Sequence, residues 1–359
     1  MSTSRILPAN RREQILSLIQ THGSVTVSDV AENLSVSPIT IRRDISLLAK
    51  EGLIEQVRGG ARLLPAERSN SVPTGLTIGV ITPSLDFYWP AIIDGANQAA
   101  DEINSRLLLQ GSTFAARDNL EQLERLSRDS SIDGLLLVPD LEGEGSDELI
   151  TYLQDFTIPI VLIERSLHPR GKHSRMIENV ITDHHAGGDM AVRHLSALGH
   201  VTIALVTDKL IPSRREIRNG WRKALSELQL DENSPYCDTT ELTGRERSRA
   251  IRAFVDRCIE EDVTAFLVHS DEAALVVNEY IQSRKLSIPD DISIVSYDDE
   301  LSRLARPALT AIAPPKKYLG MYAMRTLVNR IANPDSPLAS VQIVPTLIVR
   351  NSTAAPRTQ

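Results

Sequence analysis

From about residue 76 onward, short runs of β-branched and leucine-rich residues alternate with segments of helical period. This alternation narrows the fold more than any other feature of the chain. The apolar runs are 76–81, 107–110, 134–138, 160–163, 203–206, 265–268 and 292–297. The helical patterns lie near 91–105, 120–130, 186–198, 218–228, 248–260, 272–284 and 318–332. Strands that are apolar throughout must be covered on both faces, and helical crossovers join parallel neighbours. The expectation is a doubly wound parallel α/β sheet, twice over, with the second sheet beginning near Val180. Two such lobes enclose a cleft, and open parallel sheets bind ligands beyond the carboxyl ends of their strands.

The first 64 residues read differently. In Val36-Ser37-Pro38-Ile39-Thr40-Ile41-Arg42-Arg43-Asp44-Ile45, Ser37 is a good N-cap and Pro38 suits the first helical position. Ile41, Ile45 and Leu48 recur at i, i+4, i+7 and define a buried face. Thr40 and Arg43, three apart, take the opposite face. A helix with Thr and Arg near its exposed start fits a major groove, where Arg pairs with guanine edges and Thr meets thymine methyls or phosphates. Arg43 is the better base reader, because Arg42 points about 100° away, toward phosphate. Ile15, Leu18 and Ile19 mark a preceding helix, 25–27 a short strand, and Ser28 the cap of a helix running to about Leu34. Gly52 would end the recognition helix. After it, 53–57 and 58–62 form two small strands around a glycine turn, a wing in which Gly59 and Gly60 let the backbone approach phosphate and Arg58 supplies charge.

Charge agrees with this division. Residues 1–70 carry nine Lys/Arg against seven Asp/Glu, and the rest carries 30 against 40. An acidic body with a slightly basic head should touch DNA through the head alone. The start of the chain has no apolar run of the secretory kind, and no stretch of about 18 apolar residues would span a membrane. Cytoplasmic location is the expectation. Cys237 and Cys258 have neither disulfide-framework nor zinc spacing, and Cys258 reads as a small core residue.

Two resemblances follow from these residues. The series Arg12, Ile15, 27–31, 34–37, 40–45, Leu48, Gly52 and 58–61 resembles the DeoR-type winged helix-turn-helix of bacterial transcriptional regulators, over roughly residues 10–62. Residues 76–353 resemble the effector domain of the lactose-repressor (LacI/GalR) family and its relatives, the periplasmic sugar-binding proteins. Three segments carry that resemblance. They are Ile78-Gly79-Val80-Ile81 with Tyr88-Trp89 and Gly95; Asp183 to Ile203 with Gly187, His194-Leu195 and Leu198-Gly199-His200; and 288–299 followed by 309–312. The resemblance implies a periplasmic-binding-protein type I fold: two Rossmann-like lobes, joined by three crossovers, closing on a small sugar-like or nucleobase-like ligand. The domain expectation is a DNA-binding unit at 1–64 and a linker at 65–75. An effector-binding and dimerisation unit follows at 76–353, with lobe 1 about 76–181 and 313–342 and lobe 2 about 182–312 and 343–353. With Pro65 and Pro73 and no apolar stripe, the linker should make no minor-groove hinge helix.

Effector contacts are expected at strand ends. Tyr88 and Trp89 follow the first strand and could stack on a sugar ring, a packing role being the alternative. The resemblance places a polar ligand contact at Asp86, a polar pair at Glu164 and Arg165, a contact at Ser270 and Asp271 where relatives carry Asn-Asp, and hydroxyl binding at Asp298. Asp299 reads instead as a helix cap. In Arg214-Arg215-Glu216-Ile217-Arg218-Asn219-Gly220-Trp221, Ile217 stands where the family has its ligand arginine. Arg215 or Arg218 could substitute, or the effector could be less anionic or less hydroxyl-rich than usual. His184-His185 lacks further ligands at metal spacing, and His269-Ser270-Asp271 cannot form a nucleophilic relay from adjacent positions. No nucleophile elbow or phosphate loop is present, and 142–145 reads as a solvated acidic loop. Neither a metal nor a cofactor is expected, nor catalysis. The reading is a homodimeric, ligand-responsive repressor of a palindromic operator. The alternatives are an activator, or a periplasmic-type sugar-binding protein that would have no use for the winged helix.

Overall fold

A computed structural model describes residues 8–50, 53–57, 59–62, 73–113, 115–128, 132–167, 176–208, 211–239 and 244–357. The chain separates into two compact units, 1–71 and 72–359.

The first unit contains α1 (Pro8–His22), β1 (Ser24–Thr26), α2 (Val27–Asn33), α3 (Pro38–Lys50), β2 (Glu55–Val57) and β3 (Gly60–Arg62). The strands form one antiparallel sheet in the order β1-β3-β2. Ile15, Ile19, Val30, Ile41, Ile45, Leu48 and Ile54 make its core, so the apolar face read from α3 is the face that is buried. One expectation is corrected. Thr26, not Ser28, caps α2, its hydroxyl accepting from the Asp29 amide at 3.2 Å. Ser28 therefore falls inside the first turn, because β1 hands the chain to the helix one residue earlier than the β-prone run implies. Linker residues 65–72, Gly52 and Arg58 lie outside the described residues.

The second unit has two lobes. Its first run of elements is β4 (Thr77–Thr82), α4 (Tyr88–Asp101), β5 (Arg106–Gly111), α5 (Ala116–Ser127), β6 (Gly134–Leu137), α6 (Ser146–Asp155), β7 (Ile160–Ile163) and β8 (Glu178–Thr182). The chain then crosses to α7 (His184–Ala197), β9 (Ile203–Thr207), α8 (Arg214–Glu227), β10 (Tyr236–Asp238), α9 (Arg245–Glu260), β11 (Ala265–Val268), α10 (Asp271–Ser283), β12 (Ser293–Tyr297), a short 3₁₀ turn at Ser302–Leu304 and β13 (Thr310–Ala313). It returns through α11 (Lys316–Ala332) and β14 (Ser340–Ile343) and ends with β15 (Thr346–Ile348). One sheet is ordered β14-β8-β7-β6-β4-β5 and the other β10-β9-β11-β12-β13-β15. Every pairing is parallel except β13 with β15. The lobes are thus joined three times, at 182–184, 313–316 and 343–346.

Alternation along the strands feeds two cores per sheet. In β6, Leu136 faces the core under α4 and α11, while Leu135 and Leu137 face the one under α5 and α6. In β11, Phe266 and Val268 face one side, Ala265 and Leu267 the other. Each lobe also uses a glycine where two helices meet. A Cβ on Gly320 would lie 1.8 Å from the Ile92 carbonyl oxygen, and one on Gly220 would lie 1.9 Å from that of His185. Any side chain there would force α11 off α4, or α8 off α7. No described helix is long and apolar enough to cross a membrane.

Candidate functional site

On the first unit, Ser37 Oγ accepts from the Thr40 amide at 3.3 Å and lies 2.9 Å from Thr40 Oγ1. Ser37 is therefore the cap, and Thr40 is half-buried with its hydroxyl turned back to Ser37 rather than spread across the wet face. The exposed residues of α3 are Pro38, Ile39, Arg42, Arg43, Leu47 and Lys50. Asp44 is buried and receives Arg11 of α1 at 2.5 Å, an ion pair that fixes α3 against α1. Ser46 Oγ bonds Gln56 Oε1 at 3.1 Å, tying α3 to the wing strand β2. Gly59 is exposed at φ +89°, with open space around it. Gly60 is buried, and a Cβ there would lie 2.0 Å from the Val25 carbonyl oxygen. Its smallness serves the β1–β3 pairing, which corrects its reading as a phosphate-approach residue.

On the second unit, a cleft of about 790 Å³ opens between the lobes at the carboxyl ends of their strands. Asp86, Tyr88, Trp89, Glu164, Arg165, Arg215, Ser270, Asp271 and Asp298 all line it. They do not contribute alike. Trp89 is only 6 % exposed and packs into the lobe 1 core, with its ring edge-to-face on Tyr88 at 5.3 Å. It backs Tyr88 rather than offering a free stacking face. Tyr88 keeps its place through its hydroxyl, which donates to Glu164 Oε1.

Two carboxylates expected to meet ligand are instead saturated by protein donors. Glu164 accepts from the Thr182 amide at 2.9 Å, Thr182 Oγ1 at 2.7 Å and the Tyr88 hydroxyl, with His184 Nε2 at 3.3 Å. Burial alone would raise its pKa. The adjoining His184 and these hydrogen bonds outweigh burial and hold the carboxyl at about 2. Asp271 accepts from Ser296 and Ser302 hydroxyls on Oδ1, and from the Glu300 and Leu301 amides on Oδ2. It pins the loop after β12, and this explains its burial at 3 % exposure. Arg165 does not pair with the Glu164 side chain. It donates to the Glu164 backbone carbonyl at 2.7 Å.

Of the strand-end carboxylates Glu164, Asp271 and Asp298, Asp298 is the one whose side chain is not saturated by protein donors. It directly follows β12 at φ +93°, lines the cleft, and has His269 Nε2 3.8 Å away. Burial, and then the negative charge of Asp271, push its carboxyl up to about 7. His269 is 2 % exposed, and burial with neighbouring His184 and Arg247 takes its pKa down to about 3, so it is neutral. Lys316 donates to the Asp298 carbonyl, pairs with Glu300 at 2.5 Å and stands 5.2 Å from the Tyr88 ring centroid.

Three further readings change. Arg218 is not a cleft residue: it stacks on Tyr236 of β10, 4.2 Å from the ring centroid, one turn too far along α8. Asp299 caps no helix, but pairs with Arg350 at 2.6 Å. Glu142 is not merely solvated, because it lines the cleft and meets Arg215 of the opposite lobe at 3.0 Å. Ile217 is fully buried in the core of lobe 2, yet the cleft is not short of guanidinium, since Arg214 and Arg247 line it beside Arg165 and Arg215. Arg247 meets Asp208 at 3.0 Å.

His184, His269, Arg214, Arg247 and Asp208 are cleft residues that sequence reasoning passed over. Arg214 had a usable signal. It precedes Arg218 by four and Trp221 by seven, so it occupies the inward face of the first turn of α8, at a strand's carboxyl end. His184 had none, since its role depends on Glu164 and Tyr297, whose hydroxyl lies 3.0 Å from Nδ1. His194 and His200 serve packing, bonding Thr353 at 3.0 Å and Thr264 at 2.8 Å. Among the described residues, no three His, Cys, Asp or Glu side chains gather as metal ligands would.

Fold and cleft together define a two-lobed ligand-binding unit attached to a helix-turn-helix unit. Comparison with known proteins agrees. A DeoR-like helix-turn-helix domain model matches residues 11–66, and a periplasmic binding protein-like domain model matches 192–353. The arabinose metabolism transcriptional repressor of Geobacillus stearothermophilus is 30% identical over 341 residues, 91% of this chain and 90% of that one. The ribose operon repressor of Escherichia coli is 27% identical over 91% of this chain and 99% of its own length. The crystal structure of a LacI family transcriptional regulator from Mycobacterium smegmatis superposes with a TM-score of 0.63 at 25% identity, over 78% of this chain and 100% of that one. The chain belongs to the LacI family of transcriptional repressors.

Proposed function

We propose that the protein is a cytoplasmic, homodimeric repressor that binds a palindromic operator through residues 1–64 and responds to a small sugar held in the interlobe cleft of residues 76–353, with 65–75 as linker. The observation that carries the effector half is the 790 Å³ cleft at the strand ends, within the range of small-molecule sites. Its polar lining suits a hydroxyl-rich, uncharged ligand. Asp298 and Asp86 accept from hydroxyls, Arg214 and Ser270 donate, and Tyr88 offers an aromatic edge. Glu164 and Asp271 hold the walls and Arg215 closes the mouth. The names of the arabinose and ribose repressors support a monosaccharide.

For the operator half, Arg43 reads a base edge and Arg42 and Gly59 meet phosphate, while Ser37 and Thr40 shape the start of α3. Effector binding changes operator affinity only by as much as the effector distinguishes the two lobe arrangements. The interlobe links it acts on include Glu142 to Arg215 at the mouth, Glu164 to His184 and through it to Tyr297 at the base, and Lys316 to Glu300 and the Asp298 carbonyl. A thermal-shift screen of the full chain against aldopentoses, aldohexoses, disaccharides, polyols and nucleosides tests the reading. A sugar present at 100 times its Kd should add about 2.7 kcal/mol to stability. A response to nucleosides alone would overturn the sugar assignment.

A further inference from the structure

The most exposed large apolar side chain in the described part of the first unit is Ile39, at 77 % exposure. It sits in the first turn of α3, one residue after Pro38, where an apolar group in water has no structural use. The core contacts of α3 come from Ile41, Ile45 and Leu48 on the opposite face. Ile39 shares its face with Arg42 and Arg43, three and four residues on, and both are exposed. At the start of α3 the wet face is therefore one β-branched hydrocarbon flanked by two guanidiniums, with Leu47 and Lys50 further along the helix.

Resting on the operator-binding reading above, we infer that Ile39 is a base-reading residue that packs against the 5-methyl group of a thymine. The N-terminal residues of a recognition helix are those that reach base edges. In the major groove, only thymine presents a methyl to an apolar side chain. The neighbouring cations fix the occupant as nucleic acid rather than an apolar protein surface, since two exposed guanidiniums on that face would be costly to bury without phosphates or base edges. Thr40, read from sequence as a contact to thymine methyls or phosphates, is half-buried with its hydroxyl on Ser37, whereas Ile39 presents its hydrocarbon far more fully to solvent. The geometry also places the thymine. Four residues of helix rise about 6 Å, and successive bases of one strand are about 3.4 Å apart, so it lies about two base pairs from the base read by Arg43.

The test uses the full-length protein and a duplex selected from a randomised pool. Each thymine of the selected site is replaced in turn by uracil, which removes only the methyl. In wild type, one uracil per half-site should weaken binding about fourfold, the transfer value of one buried methyl-sized group. In Ile39→Ala that same uracil should cost nothing, while other positions keep their wild-type effects. Wild-type indifference to every uracil, or an equal loss in Ile39→Ala, would overturn the inference while leaving operator binding intact. If wild type selects no sequence at all, the operator-binding reading itself fails. Ile39 touches none of the core, so Ile39→Ala should melt as wild type does, and the comparison is between folded proteins.

Discussion

Asp298→Asn should stabilise the ligand-free protein at alkaline pH while weakening its effector response. The carboxyl is buried beside the Asp271 charge, and its pKa is raised from 3.8 to about 7. A group whose folded pKa lies above its unfolded value favours folding most below the unfolded pKa, and that advantage disappears as pH rises through the folded value. Wild type should therefore lose stability between about pH 4 and pH 7. A pKa raised that far corresponds to about 4 kcal/mol, and most of it, about 3 kcal/mol, falls between pH 5 and pH 8. Asn keeps the shape, tolerates the positive φ and carries no charge. The Tm difference between variant and wild type should thus grow with pH, by about 2–4 °C per kcal/mol for a unit of this size. The assay is a melting series from pH 5 to pH 8 without ligand, repeated with a saturating effector. A pH-independent difference would refute the buried-charge argument, and unchanged effector affinity would remove Asp298 from the ligand site.

Two other substitutions separate the roles assigned above. Arg43→Ala should abolish sequence-specific duplex binding, measured by anisotropy, and leave effector-induced thermal stabilisation intact; retained specificity would take Arg43 out of base reading. Glu164→Gln should destabilise the second unit by about 3 kcal/mol at neutral pH, because the wild-type carboxyl titrates at about 2 instead of 4.5. Its lowered pKa puts that stability above pH 4.5 and removes it as pH falls toward 2, so the gap between variant and wild type should narrow in acid. A gap that stays constant down to pH 3 would contradict the saturated-carboxylate account.

The architecture was legible because it rests on local periodicity. Apolar strands such as 203–206 and 265–268 announce a two-faced sheet, and Ile41, Ile45 and Leu48 announce the buried side of α3. Strand ends then located nine residues that line the cleft. What the sequence could not reveal was how each polar group spends its hydrogen bonds. Glu164 and Asp271 look like ligand carboxylates until Thr182, His184, Ser296 and Ser302 are seen to occupy them. Arg350 reaches Asp299 from 51 residues away, and no local pattern predicts that pair. Arg214 and Arg218 differ by one turn of one helix, and only the position of Tyr236 decides which of them faces the cleft.

The central claim is that a ligand in the cleft and a duplex on α3 are felt through one chain. The most direct test measures operator affinity with and without saturating effector, and effector affinity with and without saturating operator. Linkage requires the two ratios to be equal, and couplings of this kind are typically about 5–150-fold. Equal ratios well away from one are the predicted result. Operator affinity that does not change when the cleft is demonstrably filled would contradict the account.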